Sequence, residues 1–176
     1  SLKNFYLPNL NNYRDNSIDL CKRFNEYYGL ELHDIEVVTE LASGPYFYLP
    51  FSALLAGAKV NLMGKDSAYG KFTNLRKSFE ETARKMKLDQ FEVHQDSIPK
   101  RVWTQADIVT NSQMLRPITS RQISLMKQSS VIPLMWETWE FRQTDLCIKS
   151  CIENSVTVVG TNENGPKLNM FPLNGM

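Results

Sequence analysis

Residues 106–163 read ADIVTNSQMLRPITSRQISLMKQSSVIPLMWETWEFRQTDLCIKSCIENSVTVVGTNE, and this stretch decides the fold. An apolar run within residues 107–110 ends in a polar loop, which predicts the end of a β-strand. Thr119 and Gln122 then have the spacing of a capping box, in which two side chains satisfy the first free N–H groups of a helix. The first half of the stretch therefore predicts a strand followed by a helix.

The second half repeats this order. Residues 131–135 are apolar and are followed by a polar, aromatic loop. We expect Thr144 to cap a short helix that ends near Glu153, and a strand at residues 156–159. Strands that alternate with helices predict parallel pairing in an open sheet, whose ligands bind beyond the carboxyl ends of the strands. The fold class predicted is α/β: a doubly wound, mostly parallel, Rossmann-like sheet with helices on both faces.

The composition excludes several classes of protein. The formal net charge of +1 in 176 residues gives no basic surface for nucleic acid. No apolar stretch approaches the roughly 20 residues that a membrane-spanning helix needs. Three cysteines, Cys21, Cys147 and Cys151, are too few for a secreted disulfide framework, which favours a cytoplasmic protein.

The organisation expected is an N-terminal arm at residues 1–15, one domain at residues 16–162 and a tail at residues 163–176. The tail is rich in Asn, Pro and Gly, as in a linker to a further domain. We interpret residues 98–103 as a connection. The other expected elements are a helix that starts at Asn16 or Ser17 and stops at Gly29, helices at residues 49–56 and 71–88, and strands at residues 34–41, 59–63 and 91–94.

The first strand is followed by Ala42-Ser43-Gly44-Pro45. A dinucleotide-binding fold has its glycine-rich turn here, because the backbone must approach a phosphate closely and a helix N-terminus offers free N–H groups. Only Gly44 of the usual glycines is present, and Phe47 stands where a small residue is expected. Pro50 favours a helix that begins near Leu49. The turn is thus a candidate phosphate site, and a purely structural turn is the alternative.

The second strand ends at Gly64-Lys65. A carboxylate near this point would bind the ribose hydroxyls of NAD, whereas a basic residue can accept the 2′-phosphate of NADP. Gly64 takes the acidic place, so a dinucleotide bound here would be NADP slightly more readily than NAD. Lys65 is otherwise a solvated loop lysine.

The sequence supplies no convincing general base or nucleophile, so the catalytic residues are unknown. His94 follows the third strand and is more simply a hydrogen-bonded structural residue, and His33 is a weaker candidate. We expect no metal site, because no second histidine or cysteine lies at ligand spacing. Cys147 and Cys151 are four residues apart, which suits burial of one helix face.

The opening stretch resembles the substrate domain of the two-domain D-2-hydroxyacid dehydrogenases. In place of the glycine-rich loop of that family, this chain has residues 136–140, and no position matches the family's catalytic Arg, Glu and His. The pieces that carry the resemblance are Asn111-Ser112, Arg116-Pro117-Ile118-Thr119, Val131-Ile132-Pro133-Leu134, Thr144-Asp145-Leu146 and residues 156–162.

The resemblance implies an NAD(P)-binding, dehydrogenase-like domain of an oxidoreductase. It also implies that the 176 residues are the N-terminal domain of a longer protein, unless the strands form a self-contained nucleotide-binding unit. The expected cofactor-binding residues are Ala42, Ser43, Gly44, Pro45, Gly64, Lys65, Asn111 and Ser112.

A second family enters through two short motifs. Glu40-Leu41-Ala42-Ser43-Gly44-Pro45 resembles the first motif of S-adenosylmethionine-dependent methyltransferases, and residues 106–111 are similar to their fourth-strand motif. This resemblance implies S-adenosylmethionine as the alternative cofactor. A non-catalytic, Rossmann-like binding or oligomerisation domain is the third possibility.

The loop at residues 136–140 alternates tryptophan and glutamate. Trp136 and Glu137 are candidates for substrate binding, since an aromatic wall with a carboxylate suits a ribose or a substrate hydroxyl. The alternative is that the tryptophans pack on another domain or subunit. The partners expected are therefore a small-molecule ligand and either a second domain or a second copy of the chain, without nucleic acid or membrane.

Overall fold

The structure is a computed structural model, and it describes residues 13–134 and 142–160. The substrate-binding candidates Trp136 and Glu137 lie outside the described residues, as do residues 1–12 and 161–176. The described elements are α1 (Tyr13–Tyr28), β1 (Glu36–Glu40), a 3₁₀-helix (Gly44–Tyr48), α2 (Leu49–Leu55), β2 (Lys59–Gly64), α3 (Phe72–Lys85), β3 (Phe91–Gln95), α4 (Lys100–Gln105), β4 (Ile108–Val109), α5 (Ser120–Ile123), β5 (Val131–Pro133), α6 (Ile148–Glu153) and β6 (Thr157–Val159).

The six strands form one sheet in the order β3-β2-β1-β4-β5-β6, and every pair of neighbours is parallel. This confirms the predicted doubly wound α/β fold. The chain starts in the middle of the sheet, runs to one edge through β3, and returns to the middle at β4. The strand order therefore reverses between β1 and β4, at the topological switch point where open α/β sheets bind ligands.

One face of the sheet is covered by α1, α2 and α3, and its core is aromatic. Phe51, Phe72 and Phe79 are at most 2% exposed. The Phe51 and Phe79 rings stack with centroids 4.6 Å apart, and the edge of Phe91 meets Phe79 at 5.2 Å. Such ring pairs add about 0.5–1.5 kcal/mol each to the stabilisation from buried area.

The opposite face is covered by α4, α5 and α6, and its core is mainly aliphatic. Val102 and Trp103 of α4 pack in one cluster with Ile123 of α5 and Cys151 of α6. Burial raises the pKa of the Cys151 thiol to about 11. Cys151 is therefore a small apolar core residue, as its spacing from Cys147 suggests.

The helix boundaries around the first strand agree in part with the sequence. The structure confirms that α2 begins at Leu49 and that α1 stops before Gly29, whose φ of +60° suits glycine. The start of α1 was predicted too late, because the helix begins at Tyr13 and not at Asn16 or Ser17.

Two elements differ from the sequence prediction. The expected connection at residues 98–103 contains α4, which is too short to show a helical period but buries Val102 and Trp103 against the sheet. Thr144 does not cap α6. The chain is instead held extended by backbone hydrogen bonds from Ile118 to Asp145 at 2.9 Å and from Cys147 to Ile118 at 3.1 Å, so α6 begins only at Ile148.

Candidate functional site

A crevice opens where the middle of the sheet divides. Among the described residues, the last backbone hydrogen bond between β1 and β4 runs from Thr110 N–H to the Val38 carbonyl, at 3.0 Å. Beyond it, Leu41 N–H bonds to Met63 next to β2, while Asn111 N–H bonds to Pro133 of β5. The two half-sheets therefore separate at the switch point, with Glu40 on one side and Asn111 on the other.

The end of this sheet is unusually polar for a buried region. Five polar residues at the carboxyl ends of β1 and β4 are each at most 7% exposed. Buried polar groups are costly unless they are hydrogen-bonded, so the concentration of five at one place needs a reason. They are Thr39, Glu40, Thr110, Asn111 and Ser112.

Hydroxyl groups bridge the switch point on the face that carries α2. The Thr110 hydroxyl donates to the Thr39 hydroxyl at 2.9 Å. The Ser112 hydroxyl lies 3.1 Å from the Thr110 hydroxyl, and it is the donor of that bond because the single Thr110 proton is already used. The result is a chain of three hydroxyls that joins the two half-sheets.

Glu40 bridges the switch point on the opposite face. Its side chain alternates with that of Thr39 along β1 and so faces α4. Oε2 of Glu40 accepts a hydrogen bond from Met114 N–H at 2.9 Å. Burial raises the pKa of the Glu40 carboxyl, and the Met114 N–H and the Arg116 guanidinium offset part of that rise.

Arg116 joins the loops that follow β4 and β5. Its Nε and Nη2 atoms donate to the Asn111 carbonyl at 3.0 and 2.6 Å, and Nε also reaches Asn111 Oδ1 at 3.1 Å. Its Nη1 atom donates to Asp145 Oδ2 at 3.3 Å. The side chains of Arg116 and Asp145 are only 12% and 21% exposed, so this ion pair is screened less than a surface pair.

The predicted turn after β1 takes a definite form. Ala42 is buried, Ser43 is half-buried, and Gly44 and Pro45 are exposed. Gly44 has φ of +66°, which a residue with a side chain adopts only with strain, and Pro45 opens the 3₁₀-helix. Pro45 has no N–H, so backbone donors at this turn come from its neighbours.

Gly64 lies buried at the end of β2, and its missing side chain makes room for an aromatic ring. A Cβ atom at Gly64 would lie 2.8 Å from Cδ2 of Phe72 and 3.1 Å from the Leu41 carbonyl. The glycine is therefore required for Phe72 to pack against the end of the strand.

The loop after Gly64 carries one carboxylate, which is already engaged. Asp66 accepts the Phe72 N–H at 2.9 Å and the Lys71 ammonium at 2.7 Å. The Lys71 hydrogen bond is the main reason why the pKa of Asp66 is lowered. Asp66 thus satisfies the first turn of α3. Lys65 is half-buried and makes no hydrogen bond or ion pair with any residue that the structure describes.

His94 has structural partners. Its Nε2 atom lies 3.0 Å from Asn61 Oδ1 and 3.8 Å from a carboxylate oxygen of Glu92. Burial lowers the pKa of His94, which favours the neutral ring. These contacts are those of a hydrogen-bonded structural histidine.

Sequence reasoning did not select Thr39, Glu40, Thr110 or Arg116 as site residues, although Glu40 belongs to one of the quoted motifs. A signal for Glu40 was available, because an acidic residue next to the β-branched run of a buried strand must find a partner or a function. No comparable signal marked Arg116, whose partners lie on two separate loops.

A cavity of about 660 Å³ lies elsewhere, against α6. None of the residues that line it is a predicted site residue. Within residues 13–134 and 142–160, no group of three or more His, Cys, Asp or Glu could hold a metal ion. No helix in these ranges is long and apolar enough to cross a membrane. The lining residues of the cavity are Gln143, Leu146, Cys147, Ile148, Lys149, Ile152 and Glu153.

No family model and no curated protein matches the sequence. Solved structures do match. Shikimate 5-dehydrogenase from Listeria monocytogenes, solved with shikimate and NAD, is similar over 82% of this chain and 51% of its own, at 7% identity and TM-score 0.55. A dipicolinate synthase chain from Bacillus halodurans is similar over 82% and 46%, at 13% identity and TM-score 0.50. The likeness establishes a Rossmann-like fold.

The same fold likeness extends beyond oxidoreductases. A mitochondrial ornithine carbamoyltransferase from Coccidioides immitis matches over 81% of this chain and 49% of its own, at 12% identity and TM-score 0.51. The chain spans about half the length of these three solved chains. At such low identity the Rossmann-like fold is shared but the chemistry is not specified, so function must be argued from the site.

Proposed function

We propose that the chain is a dehydrogenase-type, Rossmann-like domain that binds a nicotinamide dinucleotide across the carboxyl ends of β1 and β4. The observation that carries the proposal is the buried polar crevice at the topological switch point, where the two half-sheets separate between Glu40 and Asn111. In a parallel sheet this is the position at which ligands bind. The likeness to a dehydrogenase solved with NAD supports the same choice.

In this proposal the turn after β1 contacts the phosphates. The strand-to-helix turn at residues 42–45 directly follows β1, and Gly44 gives its backbone the left-handed conformation. Asn111 and Ser112 face the turn from the end of β4. Trp136 and Glu137 complete the proposal as contacts for the substrate. The domain then works with a second domain or a second copy of the chain, which supplies the catalytic groups.

NADP is the slightly preferred dinucleotide. The end of β2 offers Gly64 where an NAD site has a carboxylate, and Asp66 is engaged by Lys71 and by the Phe72 N–H. Lys65 has no described partner and can accept a 2′-phosphate.

Binding is tested by titration calorimetry and thermal shift with NADP⁺ and NAD⁺, on the 176-residue chain and on the full natural reading frame. We expect an increase in Tm with both dinucleotides and a smaller Kd for NADP⁺. Lys65→Ala should weaken NADP⁺ binding about 10-fold through loss of one charge-assisted hydrogen bond, and leave NAD⁺ binding unchanged.

Lys59→Ala is the matched control, since Lys59 is an exposed lysine at the opposite end of β2. Absence of binding by both dinucleotides, in the chain and in the full reading frame, would remove the proposal.

S-adenosylmethionine is the second candidate ligand, and one observation favours it. The motif Glu40–Pro45 spans the end of β1, and its acidic residue is buried at the crevice. A carboxylate there suits a ligand with a positive charge better than a pyrophosphate. Calorimetry that detects S-adenosylmethionine but neither dinucleotide would select this alternative. If none of the three ligands binds, a non-catalytic binding or oligomerisation domain is the remaining choice.

A further inference from the structure

Glu40 and Asn111 lie side by side at the mouth of the crevice. Val38 pairs with Val109, so Glu40 and Asn111 are each two residues beyond the last paired positions of β1 and β4. Side chains two residues apart point to the same face of a strand, and neighbouring strands are about 4.8 Å apart. The two side chains therefore share the face that carries α4, and they are 3% exposed each.

Glu40 has one carboxylate oxygen without a partner. Oε2 accepts the Met114 N–H, whereas Oε1 makes no hydrogen bond with any residue in the described ranges. A carboxyl group so deeply buried normally satisfies both oxygens. Oε1 is thus an acceptor that is available to a bound molecule.

Asn111 has the complementary group available. A guanidinium only donates hydrogen bonds, so the Asn111 atom that faces Arg116 Nε must be the carbonyl oxygen Oδ1. The amide NH₂ then points away from Arg116, and no described residue accepts a hydrogen bond from it. Arg116 in this way positions the donor of Asn111.

We propose that Glu40 and Asn111 form a donor–acceptor pair that binds a primary carboxamide of the ligand. The carboxamide NH₂ donates to Glu40 Oε1, and its carbonyl oxygen accepts from the Asn111 NH₂. An anionic group at the same place would meet a carboxyl group and lose one hydrogen bond. The inference rests on the proposed function, because nicotinamide dinucleotides carry such a carboxamide.

Deamido-NAD⁺, which has a carboxylate in place of the carboxamide of NAD⁺, provides the test. Calorimetry on the 176-residue chain should show that NAD⁺ binds at least about 10-fold more tightly than deamido-NAD⁺, since one hydrogen bond is lost and one repulsion gained. Equal affinity for the two ligands would overturn the donor–acceptor pair and leave the proposed function standing. Absence of binding by both dinucleotides would remove both.

Two conservative variants test the residues. Glu40→Gln keeps an oxygen for the Met114 N–H and can turn an NH₂ towards the ligand, so the preference for NAD⁺ should fall to about 2-fold or less. Asn111→Asp keeps an acceptor for Arg116 but loses the NH₂ donor, so NAD⁺ binding should weaken about 10-fold.

Glu36→Gln is the matched control, because it makes the same chemical change at the amino end of β1. It should leave the preference for NAD⁺ unchanged. Thermal unfolding of all three variants checks that they are folded. A folded Glu40→Gln protein that retains the wild-type preference would contradict the inference.

Discussion

Strands β1, β2 and β3 have five or six residues each, whereas β4, β5 and β6 have two or three. The first half of the sheet is stabilised by long ladders and by an aromatic core under α2 and α3. The second half has short ladders, and an ion pair between Arg116 and Asp145 joins its loops. Repetitive pattern holds the first half together, and specific side-chain contacts hold the second.

The largest effect is expected in the aromatic core. Phe79 is fully buried, and Phe79→Ala leaves a cavity between the rings of Phe51 and Phe91. We expect the free energy of unfolding in urea to fall by about 3–5 kcal/mol. Tyr69→Ala is the control, because Tyr69 is 81% exposed and its loss should cost less than about 0.5 kcal/mol. Similar losses for both variants would mean that the first half does not depend on this core.

The second half should respond most to loss of Arg116. Arg116→Ala removes hydrogen bonds to Asn111 and Asp145 in a mostly buried place, and we expect the free energy of unfolding to fall by about 2 kcal/mol. Arg116→Lys should not restore it, because lysine lacks the planar fork. The control is Arg76→Ala on α3, whose pair with Glu80 is exposed and is worth less than about 1 kcal/mol. An Arg116→Ala protein as stable as Arg76→Ala would show that backbone contacts alone hold these loops.

The seam between the halves should give the smallest effect, and it should depend on pH. Burial raises the pKa of Glu40 above its ordinary value of 4.5, so the folded protein holds this proton more tightly than the unfolded chain. The stabilisation from that proton is complete below pH 4.5 and is lost as the pH rises through the folded pKa. The free energy of unfolding of wild type, relative to Glu40→Gln, should therefore decrease between about pH 4 and about pH 8.

Chemical denaturation at several pH values measures this difference. Glu36→Gln, at the other end of β1, corrects for the loss of one carboxyl group. A difference between wild type and Glu40→Gln that does not change with pH would show that the seam carries no perturbed proton.

Part of the site followed from the sequence. The residues at the end of β4, Asn111 and Ser112, were selected there, and the structure shows them buried at the switch point. Whether they bind a cofactor stays a prediction, as do the roles of the turn after β1 and of Lys65. Glu40 and Arg116 could not be selected in the same way, because their importance depends on partners more than 25 residues away or on the packing of two loops.

The sequence by itself determined the alternation of strands and helices, the capping box at Thr119 and Gln122, and the α2 start at Leu49. These features depend on local spacing, which a single chain segment displays in full. Tertiary structure decided the strand order, the burial of α4 and the late start of α6, where an extended bridge between Ile118 and Leu146 prevents an earlier helix. The switch-point crevice belongs to the second group, because it exists only where two half-sheets from distant parts of the chain meet and separate.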